Sequence, residues 1–383
     1  MTTDLGAILL GSSVLSVALA AALWFPINNA VANRYLSCVL LTLAGMMSVY
    51  SLGWTGRADV PPPLAFMPLN LPLALGPLLF GHVSAFATGR GYSRLAMHMA
   101  PALVHFIYLC VVLALPEGAR AVWKDGLHDH AIKPLLEAAT LVSLALYAIA
   151  GLRLHGRYRA WLEQARSDAD RYAARWIAGA LITLLATLLA LTLLRLYTWF
   201  VGELETGPLY LWLGVWATWL GVEGWRYSER LFPIMTAPSP TIAEPTAAQG
   251  PDWAELGSRW RSRTLAEGWW REPDLSLADL AGRLGTNTAY LSRAVNEGLG
   301  INFNEMINRM RATEAARLIS NSNATLVQIA LDAGFSSKAT FNRAFRAVHG
   351  ASPSEFRRLR SQISAVAPES EASGAVGSGD IGA

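Results

Sequence analysis

Long runs of apolar residues separated by short polar segments occupy the first 225 residues of the chain. Seven of these runs approach the length of about 20 residues that lets an apolar helix cross the hydrocarbon core of a bilayer. The seven predicted spans are residues 7–25, 35–52, 64–88, 95–115, 135–152, 176–200 and 209–222. Prolines at 68, 72 and 77 interrupt the third span, and the seventh is short and rich in tryptophan. The pattern predicts a bundle of seven transmembrane helices.

Basic residues between the predicted spans are distributed unequally. If the N-terminus is outside, the inner loops contain eleven arginines, whereas the outer loops contain four basic residues accompanied by several carboxylates. Cytoplasmic loops of membrane proteins carry an excess of Lys and Arg. The asymmetry therefore predicts an outside N-terminus, a multi-pass protein of the bacterial inner membrane, and a C-terminal part in the cytoplasm.

After residue 253 the long apolar runs give way to short amphipathic helices. Thr325 and Gln328 fit a capping box at a helix start, and Gly334 suits a turn that needs positive φ. A second helix is predicted to open at Ser336 or Ser337. Its inward residues, at helical spacing, are Phe341, Ala344, Phe345 and Val348. This arrangement is typical of a helix-turn-helix unit, with a solvated amphipathic helix as the alternative.

A second copy of the pattern lies upstream. Ser276 and Asp279 form a capping-box-like start, Gly285 marks the turn, and Leu291 and Val295 are predicted to face the core. The turn of the downstream copy is one residue longer. Residues 303–319 between the copies read as one continuous helix. Two such units joined by a long helix predict a tandem helix-turn-helix domain.

The downstream motif IALDAGFSSKATFNRAFRAVHGASPSEFR, together with the preceding helix, resembles the DNA-binding domain of the AraC/XylS family of bacterial transcription regulators. The resemblance covers about residues 274–358 and, with the apolar runs, is similar to membrane-bound members of that family. It implies that two recognition helices enter successive major grooves of double-stranded DNA. The implied contact residues are Ala289, Ser292 and Arg293 in the first unit, Arg311 in the connecting helix, and Lys338, Ala339, Asn342 and Arg343 in the second. Asn296 and Arg346 fall on the same outward faces by helical spacing and are predicted DNA contacts as well. Ala289 and Ser292 are smaller than is usual in the family.

Composition agrees with a membrane protein that has a basic cytoplasmic part. Of 383 residues 53% are hydrophobic and 15% charged, whereas residues 253–364 contain fifteen Lys or Arg against ten Asp or Glu. The predicted organisation is a membrane domain at 1–232, a flexible proline-rich linker at 233–252, an AraC-like domain at 253–364 and a disordered tail at 365–383. Neither cysteine pattern nor short motifs predict a cofactor, a metal site or an enzyme.

Polar residues inside the predicted spans are candidates for ligand binding. His82 and His105 fall near mid-depth of the third and fourth spans, and Asn70 lies among the prolines of the third. The alternatives are a histidine that forms one hydrogen bond to a neighbouring helix and a proline-kinked packing helix.

The sequence thus predicts an all-α, membrane-embedded, one-component transcription regulator whose membrane domain senses an unknown signal. The alternatives are an AraC-like regulator that is only anchored to the membrane, and a transporter or membrane enzyme with a DNA-binding appendage. The expected partners are promoter DNA and the lipid bilayer. The sequence leaves open three further partners: RNA polymerase, a second copy of the chain in a homodimer, and a small-molecule or membrane signal.

Overall fold

The computed structural model describes residues 2–53, 62–201, 207–235 and 251–366. These residues are in helices and turns, and within them no strand occurs apart from one isolated bridge between Arg166 and Ser276. The predicted all-α class is therefore confirmed for the described part. Contacts divide the chain into two compact units, Met1–Tyr158 with Ala174–Thr236, and Arg159–Ala173 with Ala237–Ala383.

The first unit is built from α-helices of very different lengths. In chain order they are α1 (Thr2–Trp24), α2 (Ala30–Gly53), α3 (Pro62–Ala65), α4 (Pro72–Thr88), α5 (Leu95–Leu113), α6 (Glu117–Trp123), α7 (Lys133–Ala165), α8 (Arg175–Val201) and α9 (Gly207–Ser228). A π-helical segment, Lys124–Ile132, joins α6 to α7 and contains non-helical backbone at Gly126. The end of α7, from Arg159 onward, belongs to the second unit.

Five stretches of helix in the described residues are long and apolar enough to cross a membrane. They are Gly6–Trp24, Ala30–Leu52, Leu95–Leu113, Glu117–Ala165 and Arg175–Leu194. The apolar helix α4 is shorter, with 17 residues. Helix α9 is not among the five, and it contains Glu223, Arg226 and several tryptophans, which favour the membrane interface over its centre. Seven spans, as predicted from sequence, are therefore not shown.

The predicted third span, residues 64–88, is not one helix. Helix α3 ends at Ala65, and α4 begins only at Pro72. Leu71 has φ −119° and ψ 62°, because the Cδ of a following proline disfavours the helical conformation. Pro72 lacks an N–H and is therefore well suited to the first position of α4. Asn70 lies in the break between the two helices, and Pro77 is accommodated inside α4.

Small residues bring α9 close to α1 and α2. A Cβ placed on Gly221 would lie 2.6 Å from the Leu19 side chain of α1, and one on Gly224 would overlap the Leu36 side chain of α2. Close approach at glycine is the usual way in which membrane helices pack, because van der Waals contact replaces the hydrophobic effect there.

The outward surfaces of several first-unit helices are apolar. The side chains that are more than half exposed include Val14 on α1, Leu103, Val104 and Val111 on α5, Val142 and Leu146 on α7, and Leu189 and Leu193 on α8. Contiguous exposed apolar surface of this kind is rare on soluble monomeric proteins and marks a surface that meets lipid or another protein.

The second unit comprises residues 159–173 and a series of short helices around one long helix. These are α10 (Trp253–Ala266), α11 (Leu277–Leu284), α12 (Thr288–Arg293), α13 (Phe303–Asn321), α14 (Leu326–Asp332), α15 (Lys338–His349) and α16 (Pro353–Val366). A π-helical turn, Ala294–Gly298, extends α12. Residues 236–250 of the predicted linker and 367–383 of the predicted tail lie outside the described residues.

Helix α13 supplies one side of two separate hydrophobic cores. Its N-terminal half, including Phe303 and Ile307, packs with Leu280 and Leu291 of the upstream copy. Its C-terminal half, including Ala315, packs in a second core. The partners there are Ile329, Phe335, Phe341 and Phe345 of the downstream copy. The predicted continuous helix is thus the element that holds the two helix-turn-helix units together.

Candidate nucleic-acid interface

The upstream unit begins with a complete capping box. The Ser276 hydroxyl accepts a hydrogen bond from the Asp279 N–H at 3.1 Å, and the Asp279 carboxylate accepts one from the Ser276 N–H at 3.1 Å. These bonds satisfy amide donors that have no partner inside the helix. Asn287 caps α12 in a similar way, accepting a hydrogen bond from the Tyr290 N–H at 2.8 Å.

The downstream unit forms only half of its predicted capping box. The Thr325 hydroxyl accepts a hydrogen bond from the Gln328 N–H at 3.2 Å. The Gln328 side chain, however, donates to the Asp332 carboxylate at 2.7 Å instead of reaching back to the helix start. In a capping box the Gln328 side-chain oxygen would accept from the Thr325 N–H. Here the side-chain amide instead donates to a charged carboxylate one turn further on, and such charge-assisted hydrogen bonds are stronger than neutral ones.

Both predicted turn glycines have positive φ, 71° at Gly285 and 83° at Gly334. The second helix of each unit then starts behind an N-cap, Asn287 in the upstream copy and Ser337 in the downstream copy. The downstream turn is therefore one residue longer, as the sequence predicts. At Gly334 an added Cβ would also collide with the backbone carbonyl of Arg271, whereas at Gly285 nothing lies within 4 Å.

Helix α15 presents two chemically distinct faces. Phe341 and Phe345 are buried, and Ala344 is half-buried, as predicted. Val348 is 37% exposed, so its predicted inward position is wrong; it lies in the last turn, just before the helix ends at His349. The exposed side chains include Lys338, Ala339, Asn342, Arg343 and Arg346. All five residues of the second unit that are predicted to contact DNA thus lie on the exposed face of α15.

The corresponding face of the upstream unit is more restricted. Ala289 and Ser292 are half-buried, and Asn296 donates a hydrogen bond to the Ser292 hydroxyl at 3.2 Å. Arg293 donates to the Glu297 carboxylate at 3.1 Å and lies over the Trp253 ring at 4.6 Å. These side chains are held by their own helix and its neighbour, so the downstream helix has the freer set of donors.

Arg311, assigned to DNA contact by resemblance, is inside the protein. It is 1% exposed, and its guanidinium donates to the carbonyl oxygens of Trp270 at 2.8 Å and Glu272 at 2.6 Å. Burial lowers the pKa of Arg311 to about 10, while the negative charge of Asp168 opposes this shift. The structure therefore gives Arg311 a positioning role: it ties the segment before α11 to the connecting helix α13.

A short segment that the sequence analysis assigned to the membrane domain packs in the second unit. Residues 166–172, the docking segment, lie between α7 and α8. The Asp170 carboxylate forms an ion pair with Arg343 and accepts a hydrogen bond from the Thr340 hydroxyl at 3.4 Å. One of the exposed arginines of α15 is thus already paired within the chain.

The three residues predicted to line a ligand site do not surround a common cavity among those described. His82 is buried and its Nδ1 lies 2.9 Å from the Ala32 carbonyl oxygen, which matches the alternative of one hydrogen bond to a neighbouring helix. His105 is buried beside Tyr108, with ring centroids 6.4 Å apart. Asn70 lies between α3 and α4.

An open cavity of about 740 Å³ occurs elsewhere in the first unit. Phe80, Tyr92, His98 and Tyr147 line one part of it, and apolar residues of α7 line the rest. The His98 ring nitrogens lie 2.9 Å from the Tyr92 hydroxyl and 2.5 Å from the Tyr147 hydroxyl. The sequence analysis missed this group, although histidine and tyrosine at the predicted cytoplasmic ends of apolar helices were a readable signal.

Among the described residues, no group of three or more His, Cys, Asp or Glu side chains is arranged so that it could bind a metal ion. Cys38 and Cys110 are both free thiols.

Residues 280–359 match a protein-family model described as "Helix-turn-helix domain". The chain is 34% identical over 90 residues to an uncharacterized HTH-type transcriptional regulator of Staphylococcus aureus (strain COL), which is 24% of this chain and 12% of that protein. It is 33% identical over 87 residues to the uncharacterized HTH-type transcriptional regulator YisR of Bacillus subtilis (strain 168), covering 23% of this chain and 30% of YisR. The similarity therefore spans less than a third of either relative.

Among solved structures, the C-terminal domain of AraT, a response regulator from Geobacillus stearothermophilus, is similar. The match has 26% identity and a TM-score of 0.26, and it covers 33% of this chain and 97% of that chain. The family match and the two capped helix pairs around α13 agree with each other, and residues 280–359 are a helix-turn-helix domain.

Proposed function

We propose that this protein is a membrane-embedded, one-component transcription regulator that binds promoter DNA sequence-specifically through residues 253–364. The observation that carries the proposal is the exposed face of α15, where Asn342 and Arg343 lie on the side opposite the buried Phe341 and Phe345. Arg and Asn are the side chains that pair with guanine and adenine edges through two hydrogen bonds each.

The geometry of the unit supports entry of α15 into the major groove. A groove about 12 Å wide admits one α-helix, and Ala339 at the start of α15 limits bulk at the point of closest approach. Lys338 and Arg346 lie towards the two ends of the exposed face, where phosphates flank the groove. The side chains of the upstream helix α12 are half-buried or bonded within the protein. In the proposed complex, α12 mainly orients the domain on the DNA duplex.

Membrane embedding is supported by the apolar first unit. Its five candidate spans, its glycine-mediated helix contacts and its exposed Leu and Val side chains fit a lipid environment. The proposed topology also counts the apolar helices α4 and α9 as crossings, so that residues 153–175 form an inner loop and the inner loops carry the excess of arginine. In this arrangement the C-terminal domain is cytoplasmic and the first unit is placed to respond to a signal at the membrane.

The experiment compares DNA binding by the full-length protein in detergent for two exposed positions of α15. Asn342→Ala removes a candidate base contact, and it is expected to weaken binding to a selected target duplex by about 1–3 kcal/mol with little effect on random duplex. Arg346→Ala removes a candidate phosphate contact, and it is expected to weaken both duplexes alike and to reduce the salt dependence. Equal loss on both duplexes for Asn342→Ala would remove α15 from base reading.

A further inference from the structure

The docking segment, residues 166–172, is seated in the second unit by a set of specific backbone contacts. The Ser167 N–H and hydroxyl both donate to the Leu275 carbonyl oxygen, at 3.1 and 2.9 Å. Asn304 and Asn308 of α13 donate to the Ser167 carbonyl oxygen at 2.8 and 3.2 Å. The buried guanidinium of Arg311 completes the set by donating to the Ser167 hydroxyl at 3.1 Å.

The first residues of the docking segment are buried in the second unit. Ser167 and Asp168 are at most 1% exposed, and Ala169 is 6% exposed. Arg171 adds a peripheral ion pair with Asp274 at 3.4 Å. The N–H, C=O and hydroxyl groups of Ser167 all form hydrogen bonds with other segments of the second unit. These bonds fix the position of Ser167 within that unit.

The far end of the segment reaches the candidate DNA-reading helix. Asp170 pairs with the Arg343 guanidinium and accepts a hydrogen bond from the hydroxyl of Thr340, a buried residue of α15. A carboxylate engages a guanidinium in the same way as a phosphate or the acceptor edge of guanine does, through charge-assisted hydrogen bonds. The carboxylate therefore occupies donors that Arg343 needs for DNA.

The docked position also contains an unfavourable element. One oxygen of the buried Asp168 carboxylate pairs with Arg166 at 3.3 Å, and its other oxygen has no hydrogen-bond partner. Burial raises the pKa of Asp168, although the Arg166 charge acts in the opposite direction. A half-paired buried carboxylate disfavours the docked position, so undocking releases this cost.

We infer that the docking segment is a built-in competitor of DNA: with Asp170 on Arg343 the second unit is held in a state of low DNA affinity, and undocking the segment creates the high-affinity state. The inference rests on the proposed function, because it concerns the control of the same reading helix. Because residues 166–172 connect α7 to α8 covalently, a change at the ends of these helices acts directly on the segment. A signal shifts the balance only by its different affinity for the two states.

The first test measures the affinity of the full-length protein in detergent for a duplex that it selects from a random pool. Asp170→Ala is expected to bind about tenfold more tightly than the parent, a change equivalent to about 1.4 kcal/mol. Glu163→Ala is the matched control, since it removes one negative charge from an exposed residue at the end of α7, in the same unit as Asp170. It is expected to leave the DNA affinity within about twofold, because salt screens the interaction of an exposed charge with phosphates that it does not contact. Equal affinities of the two variants, or weaker binding by Asp170→Ala, would overturn the inference.

A second test locks the docked position. Arg171→Cys and Asp274→Cys, the positions of the peripheral ion pair, are combined with Cys38→Ser and Cys110→Ser, so that Asp170 and Arg343 stay in place, and DNA binding is measured under oxidising and then reducing conditions. The disulfide is expected to abolish binding and reduction to restore it. If the oxidised, cross-linked protein binds as tightly as the reduced protein, the segment is no competitor while the proposed function stands. If neither the parent nor any variant binds duplex DNA in either state, the proposed function itself fails.

Discussion

Replacing each turn glycine by alanine separates backbone strain from steric collision. Gly285 and Gly334 occupy equivalent turns, with φ of 71° and 83°, but their surroundings differ. A Cβ at residue 285 meets no atom within 4 Å, whereas a Cβ at residue 334 would overlap the backbone of Arg271. Backbone cannot move aside as a flexible side chain can, so the two substitutions have different costs.

The expected magnitudes follow from these contacts. An alanine in the left-handed region costs about 1–2 kcal/mol, and the reduced entropy of the unfolded chain offsets about 0.4–1 kcal/mol of this. Gly285→Ala is therefore expected to destabilise the second unit by about 1 kcal/mol. Gly334→Ala adds the collision, typically about 1–3 kcal/mol for overpacking, for a total of about 3 kcal/mol.

Hydrogen exchange detected by mass spectrometry on the full-length protein in detergent reports on peptides of the second unit separately from those of the first unit. Peptides from α13 and α15 are expected to lose protection strongly in Gly334→Ala and only slightly in Gly285→Ala. Gly350 has φ 74° and no atom within 4 Å of an added Cβ. Gly350→Ala is therefore a second control for backbone strain without collision, beside Gly285→Ala. If Gly334→Ala loses no more protection than the other two, the close contact between Gly334 and Arg271 is wrong.

Three further predictions concern a buried arginine, a surface ion pair and topology. Arg311→Ala leaves the Trp270 carbonyl oxygen without a donor and removes one of the two donors to the Glu272 carbonyl oxygen. A loss of about 3 kcal/mol in the free energy of unfolding is therefore expected by the same exchange measurement, and a surface-like loss below about 0.5 kcal/mol would contradict it. The Arg283 guanidinium holds the pKa of Glu272 below its ordinary value of 4.5; the stability contributed by the pair is present above that pH and is lost as pH falls through the lowered pKa. Thermal unfolding of Glu272→Gln from pH 3 to 6 is therefore expected to show a shallower acid decline than the parent, by less than about 1 kcal/mol, and an unchanged decline would contradict the assignment. A reporter active only in the periplasm is expected to be active after residue 205 and silent after residues 159 and 237, and activity after residue 237 would refute the proposed orientation.

The fold of the second unit was accessible from sequence because local signals determine it. The capping pairs, the positive-φ glycines and the spacing of Phe341 and Phe345 each involve residues within one or two turns of one another. The burial of Arg311 was also accessible, since Ile307, Arg311 and Ala315 recur every fourth residue on the inward stripe of α13. The resemblance to a family in which that position is basic directed attention to DNA instead.

The docking segment could not be predicted, because its contacts are long-range and largely made by the backbone. Asn304 recognises carbonyl oxygens of residues 166 and 167, more than 130 positions away, and these groups carry no side-chain signature. The break at residues 66–71 was indicated by the prolines, but the sequence alone left a kinked continuous helix open. Phe66, at the start of the break, packs against Leu109 and Val112 of α5, a long-range contact that carries no local signal.

The central claim, a membrane-embedded protein that reads DNA through α15, is tested most directly by genome-wide mapping of the DNA cross-linked to the full-length protein in cells. The tagged protein is recovered from the membrane fraction, and the parent is compared with Asn342→Ala. The account predicts a limited set of discrete promoter-proximal sites for the parent that are lost in Asn342→Ala at equal protein level. Absence of enriched sites in the membrane fraction, or the same sites for both proteins, would contradict it.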